Sequence, residues 1–106
     1  MRMLLTATLP NATVNAAIRH GSFESTLKRI LTDLKPEAAY FITSQSGERC
    51  ALVVLDMKES SELPRIAEPW FLAFNASISV QPAMNAEDLA TAGPVFEHVV
   101  KEFASY

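Results

Sequence analysis

The chain has 106 residues, 49% of them apolar, a net charge of −3 and a single cysteine, Cys50. That length predicts one domain spanning residues 1–106, with enough apolar material for a core but a modest buried fraction, which self-association often offsets. One cysteine excludes an internal disulfide and a thiolate metal cluster within one chain. The basic residues are scattered singly apart from Lys28-Arg29, whereas nucleic-acid binding calls for a concentrated basic patch.

Residues 2–9 alternate, with Met3, Leu5, Ala7 and Leu9 on one side and Arg2, Leu4, Thr6 and Thr8 on the other. This is the period-2 pattern of a strand, closed by Pro10-Asn11. As a secretion signal the stretch is poor, because Thr6 and Thr8 interrupt it and Pro10 stops it. No run reaches the roughly 18 apolar residues of a membrane span. The expectation is a cytoplasmic protein with no membrane and no nucleic-acid partner.

Helical spacing follows in two phases. Val14, Ala17 and Ile18 share one stripe; Phe23, Leu27, Ile30, Leu31 and Leu34 share another. The stripe slips at Gly21, which predicts a short helix, a glycine break and a longer helix. Ser22 is the expected N-cap, with Glu24 in the positive first turn. Lys35 falls in the last turn and Pro36 forbids continuation.

Residues 37–43 and 49–57 are rich in strand formers, and Ser44-Gln45-Ser46-Gly47-Glu48 between them has turn chemistry. In the second strand Ala51, Val53, Leu55 and Met57 face one side, and Cys50, Leu52 and Val54 the other. Both faces are apolar, which predicts cover on both. Ser60-Ser61-Glu62 starts a helix with Pro64 in its first turn. Pro69 lies deeper, lacks an N–H for the carbonyl of Arg65, and predicts a kink or restart, with Glu68 as the cap of the second half. Residues 76–81 alternate again, Ala76, Ile78 and Val80 inward. The tail carries two helical pieces, 86–92 with Asn85 as N-cap, and one beginning at Pro94. The second has an apolar stripe of Val95, Phe96, Val99, Val100 and Phe103.

The order β, α, β, β, α, β plus a helical tail predicts an α+β, ferredoxin-like fold with a four-stranded antiparallel sheet. Two helices cover one sheet face and leave the other bare. A bare apolar face on a small soluble chain predicts a homodimer that stacks two such faces.

A resemblance enters here. The segment Leu63 to Gln81 resembles the second half of muconolactone-isomerase-like proteins of the dimeric α+β barrel class. The blocks NAAIR (15–19), KPEAAYF (35–41) and AEPWFLAFNA (67–76) resemble those of an uncharacterised bacterial family of about this length. The resemblance implies a dimeric α+β barrel, with isomerisation or cofactor-free oxidation of a small apolar or aromatic metabolite among the activities of that class. No residue of the chain maps onto a catalytic residue of those enzymes, and a shared fold does not select an activity.

The residues that bear chemistry are few. His20, beside the glycine break, is a candidate acid or base at a pocket mouth, or a cap on the short helix. Arg19 next to it is a candidate carboxylate ligand or a solvated charge. His98 lies on the polar side of the last helix, four residues before Glu102. Asp56, near the end of its strand, is a candidate general base if desolvated, or simply meets water. Arg49, at the strand's other end, is a candidate anion partner or a hairpin-edge charge. Trp70, Phe71, Phe74 and Tyr40 are candidate pocket walls; packing of core and dimer seam is the competing reading. Nothing in the sequence calls for a metal or a cofactor. Two functions remain: a small-molecule binder or enzyme, and a structural or interaction module.

Overall fold

The computed structural model describes residues 1–104. Strand β1 (Arg2–Leu9) is followed by helices α1 (Asn11–His20) and α2 (Phe23–Leu34). Strands β2 (Ala38–Thr43) and β3 (Arg49–Asp56) form a hairpin. A 3-10 turn at Ser60–Glu62 leads into α3 (Leu63–Phe74), then β4 (Ser77–Pro82), α4 (Ala86–Thr91) and α5 (Gly93–Phe103). The sheet order is β2-β3-β1-β4, with every pair antiparallel. This is the ferredoxin-like α+β fold, with a helical C-terminal end. Residues 2–9 form a central strand, so their removal would take out the middle of the sheet.

Register decides which side chains share a face. Leu5 lies between Val53 and Val80, and Ala7 between Ala51 and Ile78. Because side chains alternate, this row faces the helices. Met3, Leu5, Ala7, Leu9, Ala51, Val53 and Leu55 are buried beneath α1, α2 and α3, whose Val14, Ile30, Leu34, Ile66, Trp70 and Phe74 close the core. No polar or charged residue is fully buried among those described.

The opposite face carries Leu4, Thr6 and Thr8 on β1, Cys50, Leu52 and Val54 on β3, and Tyr40 and Ile42 on β2. No helix covers it. Leu4, Leu52 and Val54 are only partly buried, and Tyr40 is 63% exposed.

The phase slip between α1 and α2 sits where the sequence places it. Gly21 takes φ +79°, a left-handed conformation open to glycine, and closes α1 through backbone bonds. Ser22 occupies the N-cap position of α2 but does not cap it; its hydroxyl donates back to the carbonyl of Ala17 at 3.5 Å. Lys35 ends α2 at φ 49°, beyond the last turn and not within it.

A second correction concerns the restart expected at Pro69 and the cap expected of Glu68. Helix α3 runs unbroken from Leu63 to Phe74 with Pro69 inside it, so Glu68 lies mid-helix and caps nothing. The start of α3 is secured elsewhere. Glu59 and Glu62 form a capping box, in which the Glu62 carboxylate accepts from the backbone N–H groups of Lys58 (2.6 Å) and Glu59 (2.9 Å).

The tail leaves the domain. Asn85 caps α4 by accepting from the Asp88 N–H at 2.8 Å. Helix α5 packs substantially only against α4 among the described elements. Its apolar stripe is bare, with Phe96 57% and Phe103 64% exposed. The molecule accordingly measures 61 × 29 × 21 Å with a radius of gyration of 17.8 Å, against about 13 Å for a compact chain of this length.

Candidate functional site

The aromatic run on α3 splits by helical phase. Ile66, Trp70 and Phe74, four apart, point into the core and are fully buried. The Phe74 ring meets that of Phe23 at 5.4 Å between centroids, tilted by 60°. Trp70 is walled in on every side, and its indole N–H has no hydrogen-bond partner among the described residues. Phe71 and Leu72 turn outward, and Leu72 with Ile30 and Pro69 lines a broad outer groove of about 710 Å³ between α2 and α3.

The other candidates lie apart from these. Tyr40 pairs with Leu52 across the hairpin and stands on the uncovered face of the sheet. Arg19 and His20 occupy the last turn of α1 and are exposed. The carbonyls there accept from backbone N–H groups, Gly21 to Ile18 and Ser22 to Ala17, each at 3.0 Å. Asp56 is exposed at the end of β3 and accepts from the Met1 amino group at 2.8 Å. His98 is exposed on α5. The structure therefore does not gather Trp70, Phe71, Phe74, Tyr40, Arg19, His20 and Asp56 around one cavity.

Two polar clusters are better organised. At the far end of β1, the Arg2 guanidinium makes a two-pronged contact with Glu37, Nη2 at 2.8 Å and Nε at 3.0 Å, and gives its Nη1 to Asp88 at 3.0 Å. Hydrogen bonding to Arg2 holds the Glu37 carboxyl below its ordinary value, and the same bond pushes Arg2 up. Arg2 points to the uncovered face, so this contact ties the root of the tail to the rim of that face.

The second cluster surrounds Arg49. Its backbone N–H donates to the Asn11 side-chain oxygen at 3.2 Å. Its Nη1 donates to the Asn15 oxygen at 2.9 Å and to the Asn11 carbonyl at 3.5 Å. Asn11 in turn donates to the Gly47 carbonyl at 2.9 Å. Helix α1 thus orients the guanidinium and pins the hairpin turn. No carboxylate pairs with Arg49 among the described residues.

Arg49 sits at the junction of two depressions. One, of about 320 Å³, is an apolar cleft between α2 and the sheet edge, walled by Leu9, Phe23, Leu27 and Phe41. The other, of about 270 Å³, is polar and lined by Asn11, Asn15 and Gly47. Thr43 and Arg49 belong to both. The sequence marks Arg49 as an anion candidate, but nothing local in it signals the cleft. Residues 34 positions apart meet at the Arg49–Asn15 bond, and only the register of β1, β2 and β3 aligns Leu9, Thr43 and Arg49.

No group of three or more His, Cys, Asp and Glu side chains among the described residues could hold a metal ion. Among the described residues no helix is long and apolar enough to cross a membrane.

No protein-family model matches the chain, and no curated protein matches it. Among solved structures, it is similar to a formyltetrahydrofolate deformylase from Pseudomonas putida KT2440, with a TM-score of 0.49 and 16% identity, over 78% of this chain. The chain spans 29% of the length of that deformylase chain. It is also similar to Rv0793 from Mycobacterium tuberculosis, with a TM-score of 0.46 and 11% identity, over 79% of this chain and 95% of that one. At these identities the likeness concerns the arrangement of helices around a four-stranded sheet and says nothing of activity.

Proposed function

We propose that the protein is a self-associating domain whose working form is a homodimer with the uncovered faces of two sheets stacked. The observation that carries this is a pair of unpartnered apolar surfaces on one chain, the open sheet face and the α5 stripe. Exposed contiguous apolar surface mostly marks an interaction site. A second copy is the occupant argued for, because the tail starts at the rim of the face that needs cover. The Arg2–Asp88 contact fixes that root, and the elongated molecule reaches well past its own domain.

Size supports a role for both surfaces. With strands of six to eight residues, the sheet presents roughly 19 × 20 Å, or about 400 Å² in projection. A standard interface takes about 800 Å² from each partner. The sheet face falls short alone, and α5, about 16 Å long, supplies a second contact by lying against the partner. A cytoplasmic setting goes with this reading, supported by a lone buried thiol, Cys50, which has no second cysteine to pair with.

Light scattering on a size-exclusion column tests it. The wild-type chain should run at twice 11.6 kDa. Leu52→Lys, on the open face and away from the core, should give a folded monomer. Phe96→Ser combined with Phe103→Ser should shift the equilibrium towards monomer. A wild-type monomer at micromolar concentration, or an unaltered Leu52→Lys dimer, overturns the proposal.

A further inference from the structure

We propose that the cleft between α2 and β2 is a binding site for a small aromatic monocarboxylate, with Arg49 as its anion anchor. The argument begins with the cation. A guanidinium that is partly buried, held by Asn15 and Asn11 and lacking an acidic partner among the described residues is a pre-oriented donor. Arginine presents a rigid fork that matches carboxylate geometry. Only Nη1 is committed to the asparagines, which leaves other N–H groups of the fork to meet a ligand. The first turn of α1, whose unpaired N–H groups carry partial positive charge, lies beside it and favours an anion.

The cavity supplies the other half of the specificity. The apolar cleft is about 320 Å³, at the small end of the roughly 300–1,000 Å³ of ligand sites. Phe23 and Phe41 give it aromatic walls, and Leu9 and Leu27 line the rest. The polar depression begins where Arg49 stands. A ligand with a ring in the cleft and a carboxylate at its edge satisfies both environments. A neutral ligand leaves the guanidinium without its counter-ion, and a cation meets repulsion. A dicarboxylate places a second charge against apolar walls. Leu9, Phe41, Thr43 and Arg49 belong to the helix-covered side of the sheet, whereas Ile42 and Cys50, which also border the cleft, belong to the open face; Leu52→Lys therefore separates binding from self-association.

Phenylacetate is the probe, with phenylacetamide as its neutral analogue, followed by amide chemical shifts and titration calorimetry on the full chain. Saturable binding of phenylacetate should perturb Leu9, Thr43, Arg49 and Phe41, and should persist in Leu52→Lys. Phenylacetamide should bind at least about tenfold more weakly, because a hydrogen bond to a charged group is worth about that factor or more. Arg49→Gln should weaken phenylacetate by a similar factor and abolish the preference for acid over amide. Because Arg49 also pins the hairpin turn, Phe41→Ala gives a second variant. It removes an exposed wall of the cleft and should weaken binding several-fold in an unchanged fold. Failure of phenylacetate to bind overturns the proposal, as does equal binding of acid and amide, or shifts confined to the open sheet face or the α2–α3 groove.

Discussion

Trp70 offers the sharpest test of how the core is held together. It is the largest fully buried side chain, and its N–H is unpaired among the described residues. Replacing it with phenylalanine removes two carbons and the nitrogen. At about 0.8 kcal/mol per buried carbon group, the lost burial costs about 1.6 kcal/mol, plus a cavity contribution. The same change removes an unsatisfied buried donor, which costs about 1–3 kcal/mol to keep. The two effects oppose each other, so Trp70→Phe should lie within about 1.5 kcal/mol of wild type. Trp70→Ala removes the whole ring and should cost about 3–5 kcal/mol. Urea unfolding followed by circular dichroism, at one fixed protein concentration so that self-association does not shift the baseline, measures both. A loss of more than about 3 kcal/mol in Trp70→Phe would show that the indole N–H is satisfied in the native protein and would refute the reasoning.

Other consequences can be checked with the same measurement. At Gly21, φ is +79° and nothing lies within 4 Å of an added Cβ, so the penalty of Gly21→Ala is purely conformational, about 1–2 kcal/mol; a neutral result would show that the α1–α2 corner relaxes. A double-mutant cycle between Phe23 and Phe74, each changed to leucine, should return a coupling of about 0.5–1.5 kcal/mol, and zero coupling would mean that the rings only fill space. Glu37 gives a pH signature. Its folded value is below the ordinary 4.5, so its contribution is complete above that pH and is lost as the pH falls through the folded value. Arg2, pushed up by the same hydrogen bond, stays charged throughout that window. Glu37→Gln should therefore lower the thermal midpoint at neutral pH, with the difference from wild type shrinking as the pH falls below the ordinary carboxylate value; a difference that stays constant on acidification through that range refutes the ion-pair account.

The elements were legible because their signals are local. The slip of the apolar stripe at Gly21, the alternation of residues 2–9 and the turn at Ser44–Glu48 each need only a few neighbours. Pro69 does not restart the helix because a missing N–H removes one bond, whereas the packing of Ile66, Trp70 and Phe74 along one face carries α3 through it. Trp70 and Phe71 adjoin in sequence, and only the phase of α3 against the sheet sends one to the core and the other to solvent. Tyr40 reached the open face through its pairing with Leu52, a register that a strand apolar on both sides does not announce. The tail's stripe was visible, but its departure from the domain was not, since that depends on how Arg2 seizes Asp88.

The two borders of the sheet are unequal. On one border, β4 ends at Pro82 and shows Ser77 and Ser79 to water, features that discourage a further strand from adding. On the other, β2 reads Ala-Ala-Tyr-Phe-Ile-Thr, without charge, glycine or proline, and its outer backbone groups are unpaired by any strand. Such a segment is a template for cross-β growth when chains are crowded or partly unfolded. Glu37 before it and Glu48 beyond the turn act as gatekeepers. Acidification through the lowered Glu37 value therefore removes a charge from the flank of this stretch. Storage and crystallisation should accordingly be more forgiving above the ordinary carboxylate range than within it.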